Sequence, residues 1–187
     1  MGIAKAMQVK LRDALARSDA NAVRRLVVRP GVWLEDPSLP ELPIVYAARE
    51  GYLDLVISLL DCGADIEAHS AFNYTALHMA VKAKEYEIMR LLLCHGADPN
   101  SKDRCGRTPL IVAAGDDYIQ GERILIQYGA HVSARDTYGY TAMAMAASLG
   151  AADSIQFLAS RRRNVNEMTD EGKTPLMLAV ENCNFDA

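Results

Sequence analysis

The residues best suited to chemistry in this chain are its cysteines and histidines, and their spacing limits what they can do. Cys94 and His95 are adjacent, and Cys62 stands well before them in the chain. Thiolate and imidazole are common zinc donors, but a closed site takes four ligands, and two or three without a fourth make a poor one. A cysteine beside a histidine is also the beginning of a nucleophilic site. Such a site further needs an oxyanion donor and a pocket, and no residue pattern here supplies the full set. The sequence has no CxxC pair, P-loop, GxGxxG or HExxH. The expectation is a chain with no catalytic residues, no metal and no cofactor. Cys62, Cys94, Cys105 and Cys183 follow no disulfide or zinc-finger pattern and no cleavable signal peptide precedes them, so reduced thiols in the cytoplasm, or also the nucleus, are expected.

Charge and hydropathy narrow the partners. A net charge of -4 opposes a generic nucleic-acid binder, which needs an excess of Lys and Arg. No apolar run approaches the roughly 20 residues that span a bilayer. Half of the residues are apolar, enough to bury a core, while only 6% are aromatic. Ala, Leu, Val and Ile dominate instead, which suits small helices packed closely together.

The elements that carry these residues repeat. Thr75, Thr108, Thr141 and Thr174 recur at one constant interval and open the phrases Thr-Ala-Leu-His-Met-Ala, Thr-Pro-Leu-Ile-Val-Ala, Thr-Ala-Met-Ala-Met-Ala and Thr-Pro-Leu-Met-Leu-Ala. Leu42-Pro43-Ile44-Val45-Tyr46-Ala47 keeps the register without the Thr. Gly63, Gly96 and Gly129 share the period, as do Gly106, Gly139 and Gly172, with Asn73 in the equivalent earlier place. Cys62 and His95 occupy equivalent places in adjacent units of the same period. Thr followed by Pro is a helix start, because the hydroxyl caps a free N–H and Pro fits the first turn. Glycine after the second helix suits a left-handed ending. Asp103-Arg104-Cys105-Gly106 and Asp136-Thr137-Tyr138-Gly139 read as tight turns led by Asp.

These phrases resemble the ankyrin repeat, over nearly the whole chain. The resemblance implies an all-α repeat solenoid of helix pairs joined by β-turn or hairpin loops. Six repeats follow, at about 4–36, 37–69, 70–102, 103–135, 136–168 and 169–187. The first is degenerate, with Leu11, Ala14, Leu15, Val23, Leu26 and Val27 inward and Lys5, Gln8, Lys10, Arg12 and Arg17 as a polar cap. The sixth is truncated at Ala187, leaving a helix with Leu176, Leu178 and Val180 short of a partner and suggesting a longer native chain. Pro37, Pro40 and Pro43 make the junction after the cap stiff and irregular.

Two places break the pattern. Gly121-Glu122 occupies the position of Leu55-Val56 and Ile88-Met89, where a helical glycine costs roughly 1 kcal/mol and a buried carboxylate more. A softened fourth repeat or a shifted helix register is expected. Arg161-Arg162-Arg163 replaces a helix-ending glycine; it is either a solvated run or an attractor of an acidic partner or a phosphate.

The resemblance also implies which positions touch a partner: hairpin tips and the ends of first helices along the concave groove. Here they are Arg49 and Glu50; Phe72, Tyr74 and Lys82; Arg104, Arg107 and Asp116; Tyr138, Tyr140, Ser148 and Leu149; and Asp170, Glu171 and Lys173. Phe72 with Tyr74 and Tyr138 with Tyr140 form matching pairs whose i, i+2 spacing in extended backbone would aim both rings one way. With Arg104 and Arg107 between them they read as an aromatic–basic ridge of the kind that anchors protein interfaces, or else as rings packed on neighbouring turns. Removing Tyr74, Arg107 and Tyr140 together is expected to abolish binding and leave the fold intact. Asn100 and Asn166 share the register of the ankyrin hairpin asparagine, a hydroxylation site in similar proteins, or a structural residue bonding its own turn. The expected function is a monomeric, non-catalytic protein-interaction module whose partner is another protein, with no nucleic acid or membrane. The alternative is the substrate-recruiting region of a larger enzyme or ubiquitin-ligase adaptor continuing past residue 187.

Overall fold

The computed structural model of the chain describes residues 2–17, 19–27, 42–161 and 165–182. Among them the backbone forms α-helices and a single antiparallel bridge, between His69 and Thr75. They gather into two compact units, Met1–Ala97 and Asp98–Ala187.

The first unit holds α1 (Gly2–Ala16), α2 (Ala20–Val27), α3 (Pro43–Arg49), α4 (Leu53–Asp61), α5 (Ala76–Lys82) and α6 (Tyr86–Cys94). Helix α1 pairs with α2 through buried Leu11, Ala14, Leu15, Val23 and Val27, while Leu26 is only half-buried. Lys10, Arg12 and Arg17 are exposed; the side chains of Lys5 and Gln8 lie outside the described residues. Helix α3 packs on α4 and on α5, which in turn packs on α6.

The second unit holds α7 (Pro109–Gly115), α8 (Ile119–Gln127), α9 (Ala142–Leu149), α10 (Ala152–Arg161) and α11 (Pro175–Glu181). Helix α9 lies between α7 and α11 and also packs on α10. Ala142, Ala144, Ala146 and Ala147 are all buried, so its neighbours can approach closely.

The repeated threonines cap helices as their chemistry requires. The hydroxyls of Thr75, Thr108, Thr141 and Thr174 accept from the backbone N–H groups of His78, Ile111, Ala144 and Met177 at 3.3–3.4 Å. Leu42, where the Thr is lost, offers no side-chain cap. His78 is fully buried and closes a capping box, its Nδ1 2.9 Å from the Thr75 hydroxyl. Gly106 and Gly139 at the hairpins have φ of 75° and 78°. A Cβ there would sit 2.9 Å from the Thr137 nitrogen and 2.6 Å from the Asp170 nitrogen, so the next hairpin's approach also demands glycine.

Two expectations are revised in part. Helix α8 keeps its register: Gly121 and Glu122 are both buried in an unbroken helix. The ring of Tyr118 occupies the space a Cβ at Gly121 would need, and this packing is why glycine stands there. Glu122 is 0% exposed; Ser154 Oγ donates to its Oε1, Oε2 has no hydrogen-bond partner among the described residues, and burial pushes the carboxyl pKa up to about 7. On α11, Leu178 is buried, whereas Leu176, Met177 and Val180 are 68%, 53% and 58% exposed. Their counterparts one repeat earlier, Met143, Ala144 and Ala147, are buried. Arg161 ends α10, while Arg162, Arg163 and the segment with Pro37 and Pro40 lie outside the described residues.

Candidate partner-binding surface

In the second unit an aspartate organises each of the first two hairpin tips. Asp103 is buried; its Oδ1 accepts from the backbone N–H groups of Cys105 and Arg107 at 2.8 and 2.9 Å, and its Oδ2 lies 2.8 Å from both Nε and Nη2 of Arg107. Asp136, its half-buried counterpart in the next repeat, accepts from the N–H groups of Tyr138 and Tyr140 at 2.9 and 2.8 Å. Successive tips are tied together. The Thr137 N–H and hydroxyl both donate to the Cys105 carbonyl, at 3.0 and 2.8 Å, and the Asp170 N–H donates to the Tyr138 carbonyl at 3.2 Å. Arg135 donates to the carbonyls of Gly139 and Met168 and lies 3.5 Å from Asp170, while Lys102 donates to the Arg135 carbonyl at 2.9 Å. The side chains displayed by these tips are therefore held on a cross-braced backbone.

Between the tips and the first helices runs an open groove of about 460 Å³, lined by Cys105, Arg107, Asp136, Thr137, Tyr138, Tyr140, Met145, Ser148, Asp170 and Glu171. It brings together six of the expected contact residues: Arg107, Tyr138, Tyr140, Ser148, Asp170 and Glu171. Tyr138 is 66% exposed and Tyr140 half-buried. Leu149, 60% exposed at the end of α9, is outside the lining, and so are Arg104, exposed at its tip, and Asp116, exposed after α7. Lys173 bonds Glu181 at 2.8 Å and Glu171 at 3.2 Å, which raises its pKa above the usual lysine value. Asn182 donates to the Ser148 hydroxyl at 3.3 Å.

The sequence reading missed Cys105, Asp136, Thr137 and Met145. The period itself carried the signal for one of them, since Cys105, Tyr138 and Glu171 recur at the repeat interval and share a row. The expected extended backbone is absent: Asn73 and Gly139, between the paired rings, are left-handed at φ 61° and 78°. Turn geometry, not strand alternation, sets the ring directions.

In the first unit Phe72 is 61% exposed, with its ring centroid 6.4 Å from that of half-buried Tyr74. Tyr74 also meets the His78 ring at 6.0 Å, and Lys82 Nζ sits 4.9 Å above it. Arg49 Nε bonds Glu50 at 3.0 Å, and the guanidinium lies 5.8 Å from the Tyr46 ring.

Asn100 is engaged in structure: its Nδ2 donates to the Gly129 carbonyl at 3.2 Å and its Oδ1 accepts from the His131 N–H at 2.7 Å. Asn166 is exposed. Cys62, Cys94 and Cys105 are exposed thiols, Cys183 lies outside the described residues, and His95 Nδ1 is 2.8 Å from the Leu91 carbonyl. Among the described residues no helix is long and apolar enough to cross a membrane.

The sequence profile of ankyrin repeats in three copies matches residues 11–103, 44–136, 96–168 and 125–187. Similar proteins include zygote-specific protein 3 of Chlamydomonas reinhardtii, 37% identical over 59% of this chain and 30% of the relative. The 2-5A-dependent ribonuclease of Mus musculus is 41% identical over 37% of this chain and 10% of the relative. The BTB/POZ domain and ankyrin repeat-containing protein NH5.2 of Oryza sativa subsp. japonica is 35% identical over 55% and 20%. The match thus spans at most 30% of these relatives' length. Periodic caps, braced hairpins and profile agree: the chain belongs to the ankyrin-repeat family, whose repeats are a general protein-interaction module.

Proposed function

We propose that this chain binds a segment of a partner protein through its hairpin tips and the groove bordered by Arg107, Tyr138, Tyr140 and Ser148. The observation that carries this reading is an exposed tyrosine, Tyr138, on a tip braced from both sides by backbone hydrogen bonds. A large ring on a rigid support loses little conformational entropy on docking, and exposed aromatics are the usual anchors of interfaces. The exposed Phe72 ring and Lys82, held together by Tyr74, form a second contact patch in the first unit. The exposed thiols favour a reducing compartment, the cytoplasm or also the nucleus.

The test is affinity capture with the intact chain and with a Tyr138→Ala variant. The proposal expects a partner lost from the variant by about thirtyfold, the scale of one ~2 kcal/mol anchor. Equal capture by both would contradict it. A second reading, the recruiting region of a longer enzyme or adaptor, is favoured by relatives that are several times longer than the matched stretch and include a ribonuclease and BTB/POZ proteins.

A further inference from the structure

Away from the groove, α8 and α10 bring two arginines onto one ring. The guanidinium carbon of Arg123 lies 4.8 Å and that of Arg161 5.1 Å from the centroid of Phe157. Phe157 is buried while both arginines are exposed. Elsewhere in this unit Arg107 and Arg135 are held by carboxylates and carbonyls. Arg123 and Arg161 have no such partner among the described residues. Stacking on a ring orients a guanidinium through its face and leaves its N–H edge free.

Two cations share one ring with no acid bonded to either; Glu122, which acts on Arg123 through space, is fully buried with its charged form disfavoured, so among the described residues the pair lacks an exposed counter-charge. Two exposed single carboxylates would supply it only with two separate groups placed to match. One phosphoryl dianion supplies it alone, offering three oxygens to two bidentate donors. The negative end of α10 lies near Arg161, but a helix terminus carries only about half an elementary charge against two full positive ones. The net charge of -4 disfavours docking on an anionic membrane, and Phe157 is too buried to insert into one.

We propose that Arg123 and Arg161, oriented by Phe157, form a clamp for one phosphoryl group on a phosphorylated peptide segment. Phe157 is a positioning residue; the two guanidiniums make the contact.

The experiment titrates the full chain with a capped glycine peptide carrying a central phosphoserine, following arginine Nε–Hε signals by ¹⁵N-resolved NMR. The Arg123 and Arg161 signals should move together and saturate, with weak affinity on the order of millimolar for so few contacts. The unphosphorylated peptide should move neither. Arg123→Lys and Arg161→Lys, which keep charge but lose the fork, should each weaken binding at least about tenfold while the thermal melt stays unchanged. Phe157→Leu should weaken it through loss of orientation. Equal shifts with the unphosphorylated peptide, full binding by a doubly substituted Arg→Gln chain, or binding to phosphoinositide vesicles without binding to the peptide would each overturn the proposal.

Discussion

At the scale of single residues, two carboxylates have opposite fates. Asp103 is buried yet fully used, by two backbone N–H groups and the Arg107 guanidinium. The consequence for Arg107 is that it cannot be treated as a contact residue alone. Arg107→Ala leaves a buried carboxylate without its cation and should cost about 1–3 kcal/mol in urea denaturation, whereas Tyr138→Ala should fall within about 0.5 kcal/mol of wild type. Replacing Tyr74, Arg107 and Tyr140 together should therefore perturb fold and surface at once, and Tyr138 is the cleaner probe. Glu122 is the incompletely used carboxylate. Its pKa is raised from 4.5 to about 7 by burial, so the folded chain binds that proton more tightly than the unfolded one. Its contribution is complete below pH 4.5 and is lost as pH rises through about 7, a difference of about 3 kcal/mol. Denaturation curves at pH 5 and pH 8 should show Glu122→Gln gaining on wild type as pH rises. A difference that does not change with pH would contradict this account.

At the scale of elements, the helices are set by caps and by what their neighbours leave room for. Thr141 caps α9, which touches α7, α10 and α11, so Thr141→Ala should cost about 1 kcal/mol, read as a lowered melting temperature. Gly121→Ala tests the packing of α8. Helix propensity alone predicts a gain of about 1 kcal/mol, but the Tyr118 ring fills the space, so net destabilisation is expected. This contrast marks what the sequence could tell. Threonine caps, helix-ending glycines and Asp-led turns act within a few residues, and all are legible from their period. The Tyr118–Gly121 packing and the Ser154–Glu122 bond are not. The first depends on one rotamer, and the second joins side chains of different repeats. Left-handed Lys84 and Asp117, at φ 57° and 50°, are equally hidden, since their glycine counterparts Gly51 and Gly150 carry no such warning. Asp117 uses that conformation to accept the Ser154 N–H at 2.8 Å.

At the scale of the whole molecule, regular caps and braced hairpins present variable side chains on a repeated frame, and the frame explains why the candidate surface was only partly readable. Register located Tyr138, Tyr140, Arg107 and Ser148, but it did not distinguish an exposed ring from one committed to packing, as Tyr74 is against His78 and Lys82. The central claim is that a partner protein docks at the Tyr138 groove. The most direct measurement replaces Tyr138 with photo-crosslinkable benzoylphenylalanine and compares it with the same group at exposed Ile57 on α4. Irradiation in a lysate should join one defined protein to position 138 and not to 57, and filling the groove with a Ser148→Trp change should reduce that product. The same product at both positions, or one at 57 alone, would contradict the account.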